Sequence, residues 1–254
     1  MAQVAPRAAV AAAALLAATA GGDTPPFTVI LAPNATAPEQ YAASELATQL
    51  GAALGAAVPT LPRCASGAGR CLGVGPGAAL ALGLAPTALE GLGLEGYVIR
   101  SSNLSVPGAV VASGGVGAPR GTVYASSGLL RLLGWRFFAP DETRVPSRAA
   151  LLAAAGKPLE QRGSPSLIWR SVESHGTNGA DPYQTPPTGT AAQQAANYAW
   201  ATRQRNNGCC DTAGGSFPVW AGGSAHTAYT LLGESGTARS PPIALWNSHR
   251  EWFW

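Results

Sequence analysis

From residue 25 to about residue 140, short apolar runs alternate with longer segments in which Leu and Ala recur at helical spacing. Phe27-Thr28-Val29-Ile30-Leu31 predicts a buried strand. Thr36-Ala37-Pro38-Glu39 follows, with a Thr at the cap, Pro in the first turn and Glu three residues on, the pattern of a capping box. The helix it opens is expected to reach about Leu54, because Leu46, Leu50 and Leu54 recur every four residues with Ala42, Ala43 and Ala47 between them. Leu72-Gly73-Val74-Gly75, Tyr97-Val98-Ile99-Arg100 and Ala109-Val110-Val111-Ala112 predict short strands. A second long helix is expected from about Gly121 to Leu133, with Leu129, Leu130, Leu132 and Leu133 as its apolar side and Gly134 as its cap. Trp135-Arg136-Phe137-Phe138 then predicts a closing strand before Pro140. Strands alternating with two main amphipathic helices over residues 25–145 describe a small α/β domain.

Residues 146–165 are charged and contain Pro, and they read as a linker. Beyond them the pattern changes. Six of the seven Trp lie at or after Trp169, and all three His (His175, His226, His249) lie there too. Ser166 to Val172 predicts a strand, and Ala191 to Arg205 a helix ending at Asn206-Asn207-Gly208. Residues 211–245 read as a loop rich in Gly, Ser, Thr and Pro.

The first 20 residues stand apart from either unit. Arg7 precedes an Ala/Leu run from Ala8 to Ala20, and Ala18-Thr19-Ala20 fits the small-x-small cleavage pattern. The run is shorter than the roughly 20 apolar residues a membrane span needs, so residues 1–20 are expected to be a cleaved secretory signal rather than an anchor. An organelle transit peptide is the competing reading. A secreted, extracellular protein is the expected product, with no membrane association after cleavage.

Two sequons, Asn34-Ala35-Thr36 and Asn103-Leu104-Ser105, are candidate glycosylation sites in that setting. Of the four cysteines, Cys64 and Cys71 bracket a short Gly-containing loop and are a candidate disulfide. Cys209 and Cys210 are adjacent and are expected to pair elsewhere or remain thiols.

Composition narrows the chemistry further. The chain carries 16 basic and 13 acidic residues, 11% charge against roughly 25% in an average soluble domain, and a net charge of only +3. Lys157 is its only lysine, and no basic cluster is present, so no nucleic-acid partner is expected. Gly73-Val74-Gly75-Pro76-Gly77 follows a predicted strand but lacks the G-x-G-x-x-G spacing of a phosphate loop, and Pro76 removes a donor; it reads as a plain turn. No G-x-S-x-G elbow surrounds any Ser, and the His residues lack metal-ligand spacing, so neither a hydrolase triad, a metal nor a cofactor is expected. A glycosidase needs two carboxylates about 5–10 Å apart, and spacing alone marks no such pair.

One stretch is more specific. Arg120-Gly121-Thr122-Val123-Tyr124, continuing through Leu129-Leu130 to Leu133-Gly134-Trp135-Arg136-Phe137-Phe138-Ala139-Pro140, resembles the signature of the N-terminal α/β domain that precedes the barrel in family 20 hexosaminidases and family 67 α-glucuronidases. The match is nearest to secreted glycosidase-like proteins carrying this domain before a barrel. Ala37-Pro38-Glu39 through Leu46 resembles that domain's first helix. Pro165 to Arg170 is similar to the first barrel strand, and Trp200 to Gly208 to the helix after it. His226-Thr227-x-Tyr229 and His249-Arg250-Glu251-Trp252-Phe253 are similar to the next segment, with Arg250 where a Pro is usual.

The resemblance implies an α/β domain followed by an incomplete TIM-barrel-like segment over residues 166–254. Such a barrel typically needs about 250 residues, and 89 run from Ser166 onward. It implies a truncated glycoside-hydrolase-like chain whose catalytic residues are unknown, since the catalytic carboxylates of those hydrolases sit on later strands. Arg170, at the end of the first barrel strand, matches the place of a substrate-gripping Arg; Glu173, His175 and His226 are further candidate substrate-binding residues. The expected partner is a carbohydrate, a polysaccharide or a glycan. Two competing readings are a stand-alone extracellular carbohydrate-binding or scaffold module without activity, and a nucleotide-binding α/β protein resting only on the turn at residues 73–77.

Overall fold

A computed structural model of the chain describes residues 25–65, 69–166 and 191–205. The apolar runs become strands β1 (Phe27–Leu31), β2 (Thr60–Leu61), β3 (Arg70–Val74), β4 (Tyr97–Arg100) and β5 (Val110–Gly114), with β6 (Arg136–Ala139), β7 (Glu142–Arg144) and β8 (Glu160–Gly163) beyond them. Between them lie α1 (Ala37–Leu54), α2 (Gly75–Ala81), a 3₁₀ turn (Pro86–Leu89), α3 (Pro119–Leu132), α4 (Arg148–Ala155) and α5 (Ala191–Arg203).

One six-stranded sheet in the order β2-β1-β3-β5-β4-β8 organises the fold. Strands β2, β1, β3 and β5 are parallel, whereas β4 and β8 extend one side in antiparallel register. Parallel strands need helical crossovers, which cover both faces and require the strands to be apolar on both. The side chains sort accordingly. Phe27, Val29, Leu72, Val74, Tyr97, Ile99 and Val110 pack with α1 and α3, while Ile30, Cys71, Val98 and Val111 join Ala78 and Ala79 of α2 on the opposite face.

Helix α1 starts as its sequence predicts: the Thr36 backbone N–H and hydroxyl both donate to the Glu39 carboxylate, at 2.7 and 2.8 Å. It ends where Gly55 takes the left-handed conformation, φ 68°, and donates its N–H to the Gly51 carbonyl. Leu46 and Leu50 are fully buried on the face that meets α3 and the sheet. Burying a Leu contributes about 1.5–3 kcal/mol, so this face alone fixes the helix on the sheet.

Two expectations need correction. The segment at 146–165, read as a linker, holds α4 and β8, and β8 pairs with β4 along Tyr97↔Gly163 to Arg100↔Glu160. Its charges sit on an exposed helix face and a sheet edge, while Leu151, Ala155 and Leu159 supply the buried anchors. Ser147 caps α4 by accepting from the Ala150 N–H at 3.3 Å. The turn expected at residues 73–77 is instead the end of β3 and the first turn of α2, where Pro76 occupies a position with no intrahelical N–H to lose. The strand expected before Pro140 is present as β6, which forms a separate two-stranded hairpin with β7, irregular between Phe137 and Ala139. The expected strand from Ser166 and the barrel-like segment lie outside the described residues, apart from Ser166 itself and α5.

Candidate functional site

The stretch Arg120 to Tyr124 opens helix α3, and each residue but Val123 fastens that helix to the ends of β4 and β5. Gly121 faces the sheet so closely that an added Cβ would lie 2.1 Å from the Gly96 carbonyl oxygen and 2.9 Å from the Gly114 Cα. The Thr122 hydroxyl accepts the Gly114 N–H at 2.9 Å. One helical turn brings Arg120 and Tyr124 to a single flank, where Glu95 meets both. The Arg120 Nη1 lies 3.3 Å from Glu95 Oε1, and the Tyr124 hydroxyl donates to the same oxygen at 2.9 Å. All three side chains are buried. A buried carboxylate holds its charge only with such partners. This constellation fastens α3 to the loop before β4.

The other end of the motif builds a seat for α5. Trp135 is wholly buried and donates its indole N–H to Gln49 Oε1 of α1 at 3.0 Å. Gln49 in turn donates to Glu45 Oε1 at 3.3 Å, one helical turn away. Glu45 receives Arg203 from α5 through Nη2 at 2.6 Å and Nε at 2.7 Å. Around this chain, Gln204 donates to the Phe137 carbonyl at 2.6 Å, and Arg131 donates to Gln204 Oε1 at 2.8 Å and to the Arg203 carbonyl at 3.1 Å. Phe137 lies beneath two guanidinium groups, with Arg203 at 4.9 Å and Arg131 at 5.7 Å from its ring centre. Arg205 stacks 4.7 Å over the Tyr97 ring and donates to its hydroxyl at 2.7 Å, which also accepts from Gln161 at 3.0 Å. The seat thus draws on α1, α3, β4, β6 and β8. It is polar and cationic, and the Arg131 pKa is lowered by burial first and then by the neighbouring Arg205 and Arg136 charges.

Glu45 and Arg203 are 14% and 11% exposed at the side chain, so removing one partner leaves the other in a largely dry setting. In Glu45→Gln, tryptic cleavage at Arg203 and Arg205 should accelerate at least about tenfold, while fragments 25–163 stay resistant. Equal cleavage rates in both proteins would show that α5 is held without the ion pair.

Tyr41 reports on the same seat. Burial pushes its phenol up to about 12, the Glu45 carboxylate adds to the rise and Arg203 opposes it. A phenol raised in the folded state is ionised first in the unfolded chain, so its contribution is full below pH 10 and is lost as pH rises towards 12. Stability should fall over that window in the native chain, and Tyr41→Phe should flatten the slope, as read from urea midpoints at pH 9.5, 10.5 and 11.5.

Of the residues singled out for chemistry, Arg170, Glu173, His175 and His226 lie outside the described residues, as do Cys209, Cys210 and the N-terminal segment 1–20. Asn34 and Asn103 are both exposed, in the turn after β1 and the loop after β4. Cys64 and Cys71 are joined in a disulfide with a Cα separation of 5.9 Å. Four of the described carboxylates have assigned work: Glu39 in the α1 cap, Glu45 and Glu95 as above, and Glu160 with Arg100 at 2.9 Å. No cluster of three metal-ligating side chains is present among the described residues, and no described helix is long and apolar enough to cross a membrane. Sequence reasoning missed Glu95, Glu45 and Gln49. Only the i, i+4 spacing of Glu45 and Gln49 was a signal, and it is shared by any polar helix face.

No family model matches the chain, and no curated protein matches it. Among solved structures, the chain is similar to a family GH115 4-O-methyl-alpha-glucuronidase described as specific for decorated arabinogalactans, at 16% identity and a TM-score of 0.47. The similarity covers 72% of this chain and 24% of that one, so the chain spans about a quarter of that protein's length.

Proposed function

We propose that the chain is a secreted carbohydrate-active protein in which residues 25–163 are a non-catalytic platform and the following segment, opening a glycosidase-like barrel, carries the sugar contacts. The observation that supports this most is the seat of α5. The residues that resemble the N-terminal domain of family 20 hexosaminidases and family 67 α-glucuronidases, from Arg131 through Trp135 to Phe137, are also those that hold α5. The first part of the motif, Arg120 to Tyr124, fastens α3 to the sheet. A domain whose distinctive residues are spent on packing and on seating the next element is suited to position that element.

In this reading the leader is cleaved after Ala20, glycans attach at Asn34 and Asn103, and Arg170 grips sugar hydroxyls with its planar fork, aided by Glu173, His175 and His226. The full chain, expressed through a secretory route, should start at Gly21 and lose mass at two sites on enzymatic deglycosylation. In affinity gels cast with a panel of plant and bacterial polysaccharides it should be retarded by at least one, and Arg170→Ala should weaken that retardation about tenfold with an unchanged melting curve. It should release no phenol from aryl glycosides beyond the Arg170→Ala blank. Retardation by none of the polysaccharides, or turnover above the blank, would overturn the proposal.

A further inference from the structure

We propose that the Cys64–Cys71 disulfide is a redox clasp on the edge of the sheet, whose reduction by a dithiol frees β2 from β1 while the rest of the α/β unit stays folded. Strand β2 is the weakest element of the sheet. It pairs with β1 at only two positions, Val29↔Thr60 and Ile30↔Leu61, supplemented by the Val29 N–H donating to the Pro59 carbonyl at 2.9 Å. On its upstream side Val58 is buried in the core beside α1. Downstream the chain has no such anchor, because every residue from Leu61 to Arg63 is exposed. The next fixed point is Cys64, and what fixes it is the bond to Cys71.

The topology makes this bond reach across β1. Strand β1 lies between β2 and β3, and Cys71 stands beside Thr28 in the β1–β3 register. Cys71 belongs to the core on the α2 face and the partly buried Cys64 packs against it, so the chain leaving β2 folds over the β1 edge onto that face and is locked there. Strand β3 has no comparable dependence on the bond. It pairs with β1 at five positions and with β5 at three, and the Cys71 side chain is 2% exposed, where a free thiol packs as a small apolar group. Opening the bond therefore removes a constraint from β2 alone.

In the opening reaction one thiolate of the dithiol attacks a cysteine sulfur, a mixed disulfide forms, and the reagent's second thiol displaces it. Two cysteine thiols and one cyclic disulfide result. Cys64 is partly exposed and offers the accessible sulfur. Once β2 has left, β1 presents unpaired backbone groups, an edge able to accept another strand.

Hydrogen exchange on the full chain tests this, in a Cys209→Ala/Cys210→Ala background so that the reagent meets one bond. After dithiothreitol, the Val29 amide and those of Thr60 and Leu61 should exchange at least about tenfold faster, with the α3 amides from Val123 to Leu130 unchanged, and reoxidation should restore the original rates. A Cys64→Ala/Cys71→Ala variant should show the reduced pattern without reagent. Unchanged exchange at Val29 would overturn the proposal. So would acceleration in α3 to the same degree, or failure of the double variant to fold, since either would make the bond a staple of the whole domain.

Discussion

Gly121→Ala is expected to unfold the α/β unit, or to lower its stability by more than 3 kcal/mol, the upper end of ordinary overpacking. The reason is what the new methyl group would meet. Its position lies 2.1 Å from the Gly96 carbonyl oxygen, 2.9 Å from the Gly114 Cα and 3.1 Å from the Gly96 carbonyl carbon. These are backbone atoms, and no side-chain rotation relieves the clash. Relief requires α3 to lift from β4 and β5, which would break the Thr122 bond to the Gly114 N–H and separate Arg120 and Tyr124 from Glu95. Helix propensity works the other way, since Ala is favoured over Gly in a helix by about 1 kcal/mol, so a destabilised protein isolates the packing effect. Gly156→Ala is the matched control. Its Cβ would lie 3.5 Å or more from any neighbour, and its φ of −67° suits any residue. That substitution should be neutral or raise stability by about 0.4–1 kcal/mol. Urea denaturation followed by circular dichroism reads both. A Gly121→Ala protein with a native midpoint would mean that the close approach of α3 is not required by the fold.

The contrast between these glycines shows what was legible in the sequence. Gly121 stands in the first turn of α3 and Gly156 just past the end of α4, but neither place forbids a methyl group; what does is the close approach of Gly96 and Gly114, brought beside Gly121 by the sheet. Features set by neighbours in sequence were readable. The α1 cap, its Leu46, Leu50 and Leu54 stripe, and the strands β1, β3, β4 and β5 follow from short-range chemistry, and each was expected within a few residues. Strand β8 was not, because the edge of a sheet tolerates charge, and Glu160-Gln161-Arg162-Gly163 has the composition of a loop. Glu95 was invisible for a related reason: it stands in the Gly-rich loop before β4, and its partners are 25 and 29 residues away. The motif from Arg120 to Pro140 was recognisable as a pattern, yet its physical content, a fastening at one end and a seat for α5 at the other, depends on contacts that no spacing rule encodes.

Trp135→Ala is expected to cost about 3–5 kcal/mol, enough to leave the domain largely unfolded if its stability is in the ordinary range. Among the described residues Trp135 is the largest fully buried side chain, at 0% exposure, and it lies at the exit of α3 among Leu129, Leu130, Leu133 and Phe137. Truncation removes an indole's worth of contacts and leaves a cavity that α1 and α3 can close only by shifting against each other. Trp135→Phe separates the two roles of the side chain. It keeps most of the apolar contact but loses the N–H that Gln49 accepts, and should cost only about 1–2 kcal/mol. Its larger consequence should appear elsewhere. Gln49 bridges Trp135 to Glu45, and Glu45 holds Arg203, so freeing the Gln49 amide lets it rotate and weakens the geometry that orients the carboxylate towards α5. Trp135→Phe and Glu45→Gln should therefore both speed tryptic cleavage at Arg203 and Arg205, and the double variant should be cleaved no faster than Glu45→Gln alone, because both act on the same ion pair. Additive acceleration in the double variant would mean that Trp135 and Glu45 hold α5 by separate routes, and that the relay through Gln49 carries no coupling.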